Sequence, residues 1–233
     1  MMELCDWNKV ESEEYKRINS AIKKTVEEIG ATTGKAPTPG DHYLFDYAFI
    51  FSQIREFKGV RFLDLGSACS ALTVHIARQG GIVTAVDLPG SVYDFASYFA
   101  ELKEQLGIQI TFSALDFCSD PLPKADVIIS CSAIEHNGYE AIPQLVKNTK
   151  NALPLGGRFI FTVIAEPEPP EEQYAYSSYR EDKIRQTFLQ GFRLDKNKSN
   201  FDQFDTLYQR FRNQFPKYFY IPVGVSLVRE DHE

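Results

Sequence analysis

The chain has 233 residues, 43% of them hydrophobic, and this length supports one domain with a sizeable core. Its formal net charge of −7 argues against a nucleic-acid partner, because such proteins usually present a basic face, and favours a small molecule. We expect a cytoplasmic protein without membrane contact: no apolar run is long enough for a span, no basic and apolar leader opens the sequence, and the four cysteines show no paired spacing.

Two helices are predicted before the first long strand. Apolar residues recur at helical spacing from about 10 to 29, where Gly30 is a natural stop, and again from about 41 to 57. The segment between them is rich in glycine and proline, which is typical of a loop. Residues 1–58 are therefore predicted to form an N-terminal helical cap. Such a pair of helices either covers a ligand cleft, with His42 and Tyr43 in reach of it, or only packs on the sheet.

From about residue 59 onwards, apolar runs alternate with helical segments. The runs are continuous, which is typical of parallel strands covered by helices on both faces. We therefore predict an α/β fold of the Rossmann type, with five successive strands at about 60–65, 82–87, 109–115, 127–130 and 158–164. After the fifth strand come an acidic, proline-rich lid or acceptor segment at about 166–180, a helical insertion at about 201–215 and a last strand at about 218–228.

The turn after the first of these strands indicates which ligand the sheet holds. Gly66 opens the turn, but Ala68 stands where a dinucleotide fingerprint has its middle glycine, and its Cβ would obstruct a pyrophosphate. Asp64, just before the turn, adds a negative charge that phosphates would avoid. The next strand ends in Asp87, a carboxylate that can accept hydrogen bonds from ribose hydroxyls. These features favour a nucleoside with a cationic amino acid end, as in S-adenosylmethionine.

Five segments, in this order, resemble the motifs of class I S-adenosylmethionine-dependent methyltransferases of the small-molecule type: residues 62–66, 85–88, 114–117, 125–136 and 153–160. The resemblance implies a seven-stranded, mainly parallel Rossmann-like sheet with an antiparallel last strand pair, in a methyltransferase domain at 59–233. It implies S-adenosyl-L-methionine as cofactor and S-adenosyl-L-homocysteine as product. The cofactor-binding residues that it implies are Asp64, Gly66, Ser67, Ala68, Asp87, Leu88, Asp116, Phe117 and Cys131. Ala68 and Ser70 depart from the family's glycines, which is expected to narrow the cofactor loop.

His136 and Glu135 follow the fourth predicted strand and are the candidates for a catalytic base. An oxygen or nitrogen acceptor needs a group to take its proton, and histidine titrates in the right range. The alternative is that either residue orients the loop or caps a helix. A metal is not expected, because Ser132 replaces the first glutamate of the E-x-x-E-H segment of small-RNA methyltransferases and His232 is the only later histidine.

The sequence thus predicts a methyltransferase that acts on an oxygen or nitrogen of a small metabolite, with a sugar or a natural-product intermediate favoured. A homodimer is left open. Two alternatives are a non-catalytic S-adenosylmethionine-binding or regulatory subunit and, less favoured, an NAD(P)-dependent oxidoreductase on a similar sheet. Three tyrosines after the fifth strand are either acceptor contacts or ordinary surface: Tyr174, Tyr176 and Tyr179.

Overall fold

The computed structural model describes residues 1–34, 43–90, 93–167 and 178–231. Within these ranges the strands are β1 (Met2–Leu4), β2 (Arg61–Leu65), β3 (Ile82–Asp87), β4 (Ile110–Ala114), β5 (Val127–Cys131), β6 (Arg158–Ala165), β7 (Phe192–Leu194) and β8 (Ile221–Arg229). The helices are α1 (Trp7–Val10), α2 (Glu13–Thr33), α3 (Tyr43–Gln53), α4 (Ala71–Arg78), α5 (Phe95–Leu106), α6 (Ile142–Ala152), α7 (Glu181–Phe188) and α8 (Phe204–Gln214). Short 3₁₀ turns cover Ile134–His136 and Phe201–Gln203.

Five parallel strands form the centre of the sheet, in the order β6-β5-β2-β3-β4. Strand β8 lies antiparallel to β6, and the short strands β1 and β7 both pair with the outer side of β8. The order of the strands reverses at β2, which lies between β3 and β5. Open α/β sheets bind ligands in the crevice beyond the carboxyl ends of the strands at such a reversal. The topology therefore places a ligand site beyond β2 and β5.

The predicted Rossmann-like fold is confirmed, and within the described ranges the sheet contains eight strands where seven were predicted. All eight residues of β6 are buried, as expected for a strand covered on both faces. The two short strands, β1 and β7, have three residues each, too few for a sequence pattern to mark them. Both depend on β8 for their hydrogen bonds, so only the assembled sheet defines them.

The first long helix ends later than its sequence pattern predicts. Helix α2 continues past Gly30 to Thr33 and is capped by Gly34, whose φ of 68° is the left-handed conformation that favours glycine. The N–H of Gly34 donates to the Gly30 carbonyl. A glycine inside a helix costs only about 1 kcal/mol, and the burial of Ile29 next to it outweighs that cost. None of the described helices has the length and apolarity required to cross a membrane.

The N-terminal residues share one core with the sheet. Strand β1 pairs with β8, and α3 packs against β5, β6 and β8. The end of α3 is fixed by Arg158, which donates to the backbone carbonyl of Gln53 and, through Nη2 at 2.7 Å, to Asp195. Arg55 donates to the other oxygen of Asp195 at 2.8 Å. The assignment of residues 1–58 to a separate cap stays a prediction, and α3 is anchored on the sheet in either case.

The contact between α3 and β8 requires a glycine. A Cβ on Gly224 would lie 2.5 Å from the ring of Phe49, which is fully buried. We expect Gly224→Ala to lower the free energy of unfolding by about 1–3 kcal/mol, because the ring must shift within a packed core. Urea unfolding followed by circular dichroism measures this loss. The double variant Gly224→Ala/Phe49→Leu should lose less than the sum of the two single variants, and additive losses would contradict this account.

Candidate active site

A cavity of about 460 Å³ opens at the carboxyl ends of β2, β3 and β5, where the topology places a ligand. Its walls come from the ends of these three strands and the segments that follow them, with Phe117 from the segment after β4 and two tyrosines from α3. The residues that line it are Tyr43, Tyr47, Asp64, Gly66, Ser67, Ala68, Cys69, Ser70, Asp87, Leu88, Phe117, Cys131, Ser132, Ala133, His136 and Asn137. Eight of the nine residues predicted to bind the cofactor are in this set.

The turn after β2 approaches the segment after β5 so closely that no side chain fits between them. Gly66 has a φ of 68°, and a Cβ built on it would lie 2.4 Å from the Cβ of Ala133. The N–H of Ser67 donates to the Val86 carbonyl at 2.9 Å, which ties the turn to β3. Ser70 then begins α4 by accepting from the N–H of Thr73. The turn is therefore constrained from three sides.

Ala68 adopts a left-handed backbone conformation, which glycine takes up without strain. Its φ is 43°, in the left-handed region that costs residues other than glycine about 1–2 kcal/mol. The N–H of Ala68 donates to Oδ2 of Asp87 at 2.8 Å, and the N–H of Leu88 donates to Oδ1 at the same distance. These two bonds orient the Asp87 carboxylate at the end of β3, where it lines the cavity.

Asp64 is buried beneath the turn and is among the residues that line the cavity. The Thr73 hydroxyl donates to its Oδ2. Burial raises the pKa of Asp64 to about 7, with hydrogen bonding from Thr73 acting in the opposite direction. A cationic ligand group would favour the ionised carboxylate. Asp64 and Asp87 therefore place two acidic groups in the cavity, and Phe117 and Leu88 add apolar surface.

Asp116 is the one predicted cofactor residue that does not line the cavity. Its carboxylate accepts from the N–H of Cys118 and from the Ser119 hydroxyl, both at 2.9 Å, and so caps its own turn. Its backbone N–H donates to Asp120. The neighbouring Phe117 contributes the apolar wall instead. A contact between Asp116 and adenine stays a prediction.

A second chamber of about 340 Å³ adjoins the cavity and shares part of its wall. Tyr43, Ser132 and His136 line both spaces. The full lining of this second chamber is Tyr43, Asp46, Ser132, Glu135, His136, Ile164, Tyr218, Tyr220 and Pro222. We call it the acceptor chamber. Ser132 is held in the left-handed region, with a φ of 46°, by donating from its backbone N–H to Thr162.

The two predicted catalytic residues both face the acceptor chamber. Partial burial lowers the pKa of His136, while a hydrogen bond with the backbone of Ser132 acts in the opposite direction. The imidazole is therefore neutral at pH 7. Glu135 is only 2% exposed, and burial raises its pKa to about 8. Glu135 is predominantly protonated at pH 7. It can therefore donate a proton, whereas the neutral imidazole of His136 can accept one.

Asp46 is a site residue that the sequence analysis missed. It lies in the first turn of α3, 1% exposed, and lines the acceptor chamber with Glu135. Burial raises its pKa to about 7. The sequence feature that could have indicated Asp46 is that it is an acidic residue inside the otherwise apolar run 43–51. Tyr47, Tyr218 and Tyr220 were also missed, because aromatic residues at helical spacing or near a strand are usually core residues.

Some sequence expectations lie outside the described residues. These are His42, Tyr174, Tyr176, His232 and most of the predicted lid at 166–180. Tyr179 is described, and its ring is fully buried between those of Tyr139 and Phe188. It is a core residue in this structure. Among the described residues, no cluster of three or more His, Cys, Asp or Glu side chains is arranged to hold a metal ion.

The chain matches the O-methyltransferase domain family over residues 46–186, more than half of its length. It belongs to this family, and thereby to the class I S-adenosylmethionine-dependent methyltransferases. The ubiquinone biosynthesis O-methyltransferase of Coxiella burnetii is 29% identical over 110 residues, which are 46% of this chain and 44% of that protein. The tetracenomycin polyketide synthesis 8-O-methyl transferase TcmO of Streptomyces glaucescens is 33% identical over 100 residues, 41% of this chain and 28% of that protein. The matches thus span less than half of these curated relatives.

A solved structure shows the same fold over nearly the whole chain. Geranyl diphosphate C-methyltransferase from Streptomyces coelicolor A3(2) superposes with a TM-score of 0.62 at 9% identity, covering 94% of this chain and 99% of that one. S-adenosylmethionine is the cofactor of this class, and the cavity fits it. The two carboxyl groups of the cavity suit the ammonium and the ribose of this cofactor, and the apolar wall of the cavity suits its adenine ring. The family assignment leaves the nicotinamide alternative without support.

The turn after β2 generates a matched pair of variants. Gly66→Ala should abolish measurable binding of S-adenosylhomocysteine and destabilise the fold, because the new Cβ collides with Ala133 and the left-handed φ is strained. Ala68→Gly should instead keep binding and raise the free energy of unfolding by up to ~1 kcal/mol, since it relieves the strain of Ala68. Calorimetric titration and thermal unfolding measure both quantities. Equal behaviour of the two variants would show that the turn geometry described above is wrong.

Proposed function

We propose that the protein transfers a methyl group from S-adenosylmethionine to an oxygen of a small molecule, with nitrogen as the second choice. The observation that carries this proposal is the pairing of two adjoining spaces. One contains the acidic groups that suit the cofactor, and the other opens beside it across a shared wall that includes His136. Membership of the O-methyltransferase domain family supports oxygen as the acceptor atom.

In this proposal two acidic side chains and the turn after β2 hold the cofactor. Asp64 would pair with the amino acid end, and Asp87 would accept from the ribose hydroxyls with the lone pairs that remain beside its two N–H donors. When bound, S-adenosylmethionine supplies a methyl group already activated on a sulfonium. The protein's task is then to align the acceptor and to exclude water from the two spaces.

His136 would take the proton of the acceptor hydroxyl. Its imidazole is neutral at pH 7, and the hydrogen bond with the backbone of Ser132 fixes the ring orientation, as a general base requires. Glu135 is largely unavailable as a base in the free protein, because burial keeps it predominantly protonated at pH 7. The alternative in which His136 only orients the loop predicts no effect of pH on the chemical step.

The relatives support a broad class of acceptor. Two of them are O-methyltransferases of ubiquinone biosynthesis and of polyketide synthesis, which supports a natural-product or quinone intermediate over a sugar. The direct experiment is incubation of the protein with radiolabelled S-adenosylmethionine and metabolite extracts, followed by identification of the labelled product. Binding of S-adenosylhomocysteine without any labelled product would favour the non-catalytic alternative. Absence of binding at millimolar concentration would defeat both.

The role of Asp87 is tested by measuring the affinity of a variant protein for S-adenosylhomocysteine. Asp87→Ala should weaken S-adenosylhomocysteine binding by about ten- to hundredfold, because hydrogen bonds to a charged group contribute about 1.5–3 kcal/mol. Asp116→Asn is the matched control, since that carboxylate caps its own turn. The affinity of the Asp116→Asn variant for S-adenosylhomocysteine should stay within about threefold of that of the unaltered protein. A comparable loss in Asp116→Asn would instead support the predicted adenine contact.

The role of His136 is tested by rate and pH together. His136→Gln should lower the rate of label transfer by at least about 10²-fold without changing the affinity for S-adenosylhomocysteine. The unaltered protein should lose rate at acidic pH, below the usual imidazole range, and this acid limb should be absent in the variant, because a base works deprotonated and burial lowers the pKa of this imidazole. A loss of rate with an unchanged pH profile would assign His136 to positioning.

A further inference from the structure

The acceptor chamber contains two buried carboxyl groups that proton transfer at His136 does not use. The side chains of Asp46 and Glu135 are 1% and 2% exposed, and both line the chamber. Among the described residues, Oδ1 of Asp46 and Oε2 of Glu135 have no hydrogen-bond partner. A buried oxygen without a partner costs about 1–3 kcal/mol, so two in one chamber require an explanation. A bound molecule with hydrogen-bond donors would remove this cost.

The surroundings of these two groups are acidic and aromatic. Burial is the main cause of the raised pKa of both carboxyls, and the charge of Asp46 adds to the rise at Glu135. Hydrogen bonding acts in the opposite direction, from Thr162 and Ser132 at Asp46 and from Ser132 at Glu135. None of the described residues that line the chamber is lysine or arginine. The protein itself therefore supplies no cationic side chain to the described chamber wall.

The remaining walls attract cations as well. Tyr43, Tyr218 and Tyr220 line the same chamber, and the faces of tyrosine rings stabilise an ammonium by about 0.5–2 kcal/mol. The ring centroids of Tyr218 and Tyr220 are 5.3 Å apart, so two of these three rings pack against each other. Acid groups with unsatisfied oxygens beside tyrosine rings are a suitable environment for a protonated amine.

Resting on the proposed methyltransferase function, we propose that the acceptor chamber recognises an acceptor that carries a protonated amine, bound by Asp46 and Glu135 and flanked by the tyrosine rings. An ammonium has no lone pair, so the amine is the recognition group and the methylated oxygen is elsewhere on the acceptor. The wall shared by the two spaces includes His136, which places that oxygen towards the cofactor cavity. The acceptor class is then a hydroxylated amine.

The test uses three probes of one shape on the unaltered protein saturated with S-adenosylhomocysteine. Tyramine carries the amine, 4-propylphenol replaces it by a methyl group, and 3-(4-hydroxyphenyl)propionate replaces it by a carboxylate. Isothermal calorimetry at pH 7 should show tyramine binding at least about tenfold more tightly than 4-propylphenol. The carboxylate probe should bind most weakly, because it meets two acidic groups in a buried site.

Calorimetry in two buffers of different ionisation enthalpy adds a second readout. Tyramine should release protons on binding at pH 7, because its charge favours ionisation of Asp46 and Glu135, which burial keeps partly protonated. The neutral probe should release none. The titratable groups that face this chamber or lie against its wall are Tyr43, Asp46, Cys131, Glu135, His136, Tyr218 and Tyr220. Among these described groups, burial raises the pKa values of Asp46 and Glu135 into the neutral range, so these two carboxyls are the expected source of the released protons.

Variants then assign the effect to the two acids. Asp46→Asn and Glu135→Gln should each reduce the preference for tyramine over 4-propylphenol by about tenfold and leave the affinity for S-adenosylhomocysteine unchanged. Asp182→Asn on α7 and Glu104→Gln on α5 repeat the same chemistry at exposed positions and should change neither quantity. Retained cofactor binding shows that each variant is folded.

The outcomes separate this inference from the proposed function. Equal affinity for tyramine and 4-propylphenol, binding of neither, or preference for the neutral probe would overturn the amine proposal while cofactor binding leaves the proposed function intact. Preference for the neutral probe would mean that the acids stay protonated and act as donors. Failure of the unaltered protein to bind S-adenosylhomocysteine would defeat the proposed function, and the amine proposal with it.

Discussion

The close approach of the turn after β2 to the segment after β5 is the constraint on which the site depends. Gly66 and Ala133 leave no room for a side chain between them, and the Ser130 hydroxyl donates to the Leu65 carbonyl at 2.9 Å directly below. The same turn binds β3 through Ser67 and Asp87. Three strand ends are thereby fixed at one point, and the groups that they carry surround a common cavity. A looser turn would separate the acidic groups from the segment that bears His136.

Helix α3 connects this arrangement to the acceptor side. It contributes tyrosines to the cofactor cavity and Asp46 to the acceptor chamber, so its position determines the shape of both. Its end is fixed by Arg158 and its middle by the contact of Phe49 with Gly224. Because these contacts lie on the sheet and not in the site, the stability of the core and the geometry of the site are coupled through one helix.

Burial gives similar side chains different chemistry within a short distance. Asp87 is held by backbone donors, whereas Asp46, Asp64 and Glu135 lie in surroundings that raise their pKa values into the neutral range. His136 shifts in the opposite direction, because burial disfavours its protonated form. A site with partly protonated acids and a neutral base at pH 7 can respond to a charged ligand by releasing protons, and this couples recognition to protonation.

The sequence by itself determined the class of fold, the order of the five parallel strands along the chain and the turn that we predict to hold the cofactor. These features are local, since a strand, its terminal acid and the following glycine lie within a few residues. Only the tertiary structure decided that Asp46 and Glu135, almost 90 positions apart, face one chamber, because their elements meet through sheet packing. It also decided that Asp116 faces its own turn and that Ala68 takes a glycine-like conformation. Short strands such as β1 exist only through pairing with β8, which no local pattern specifies.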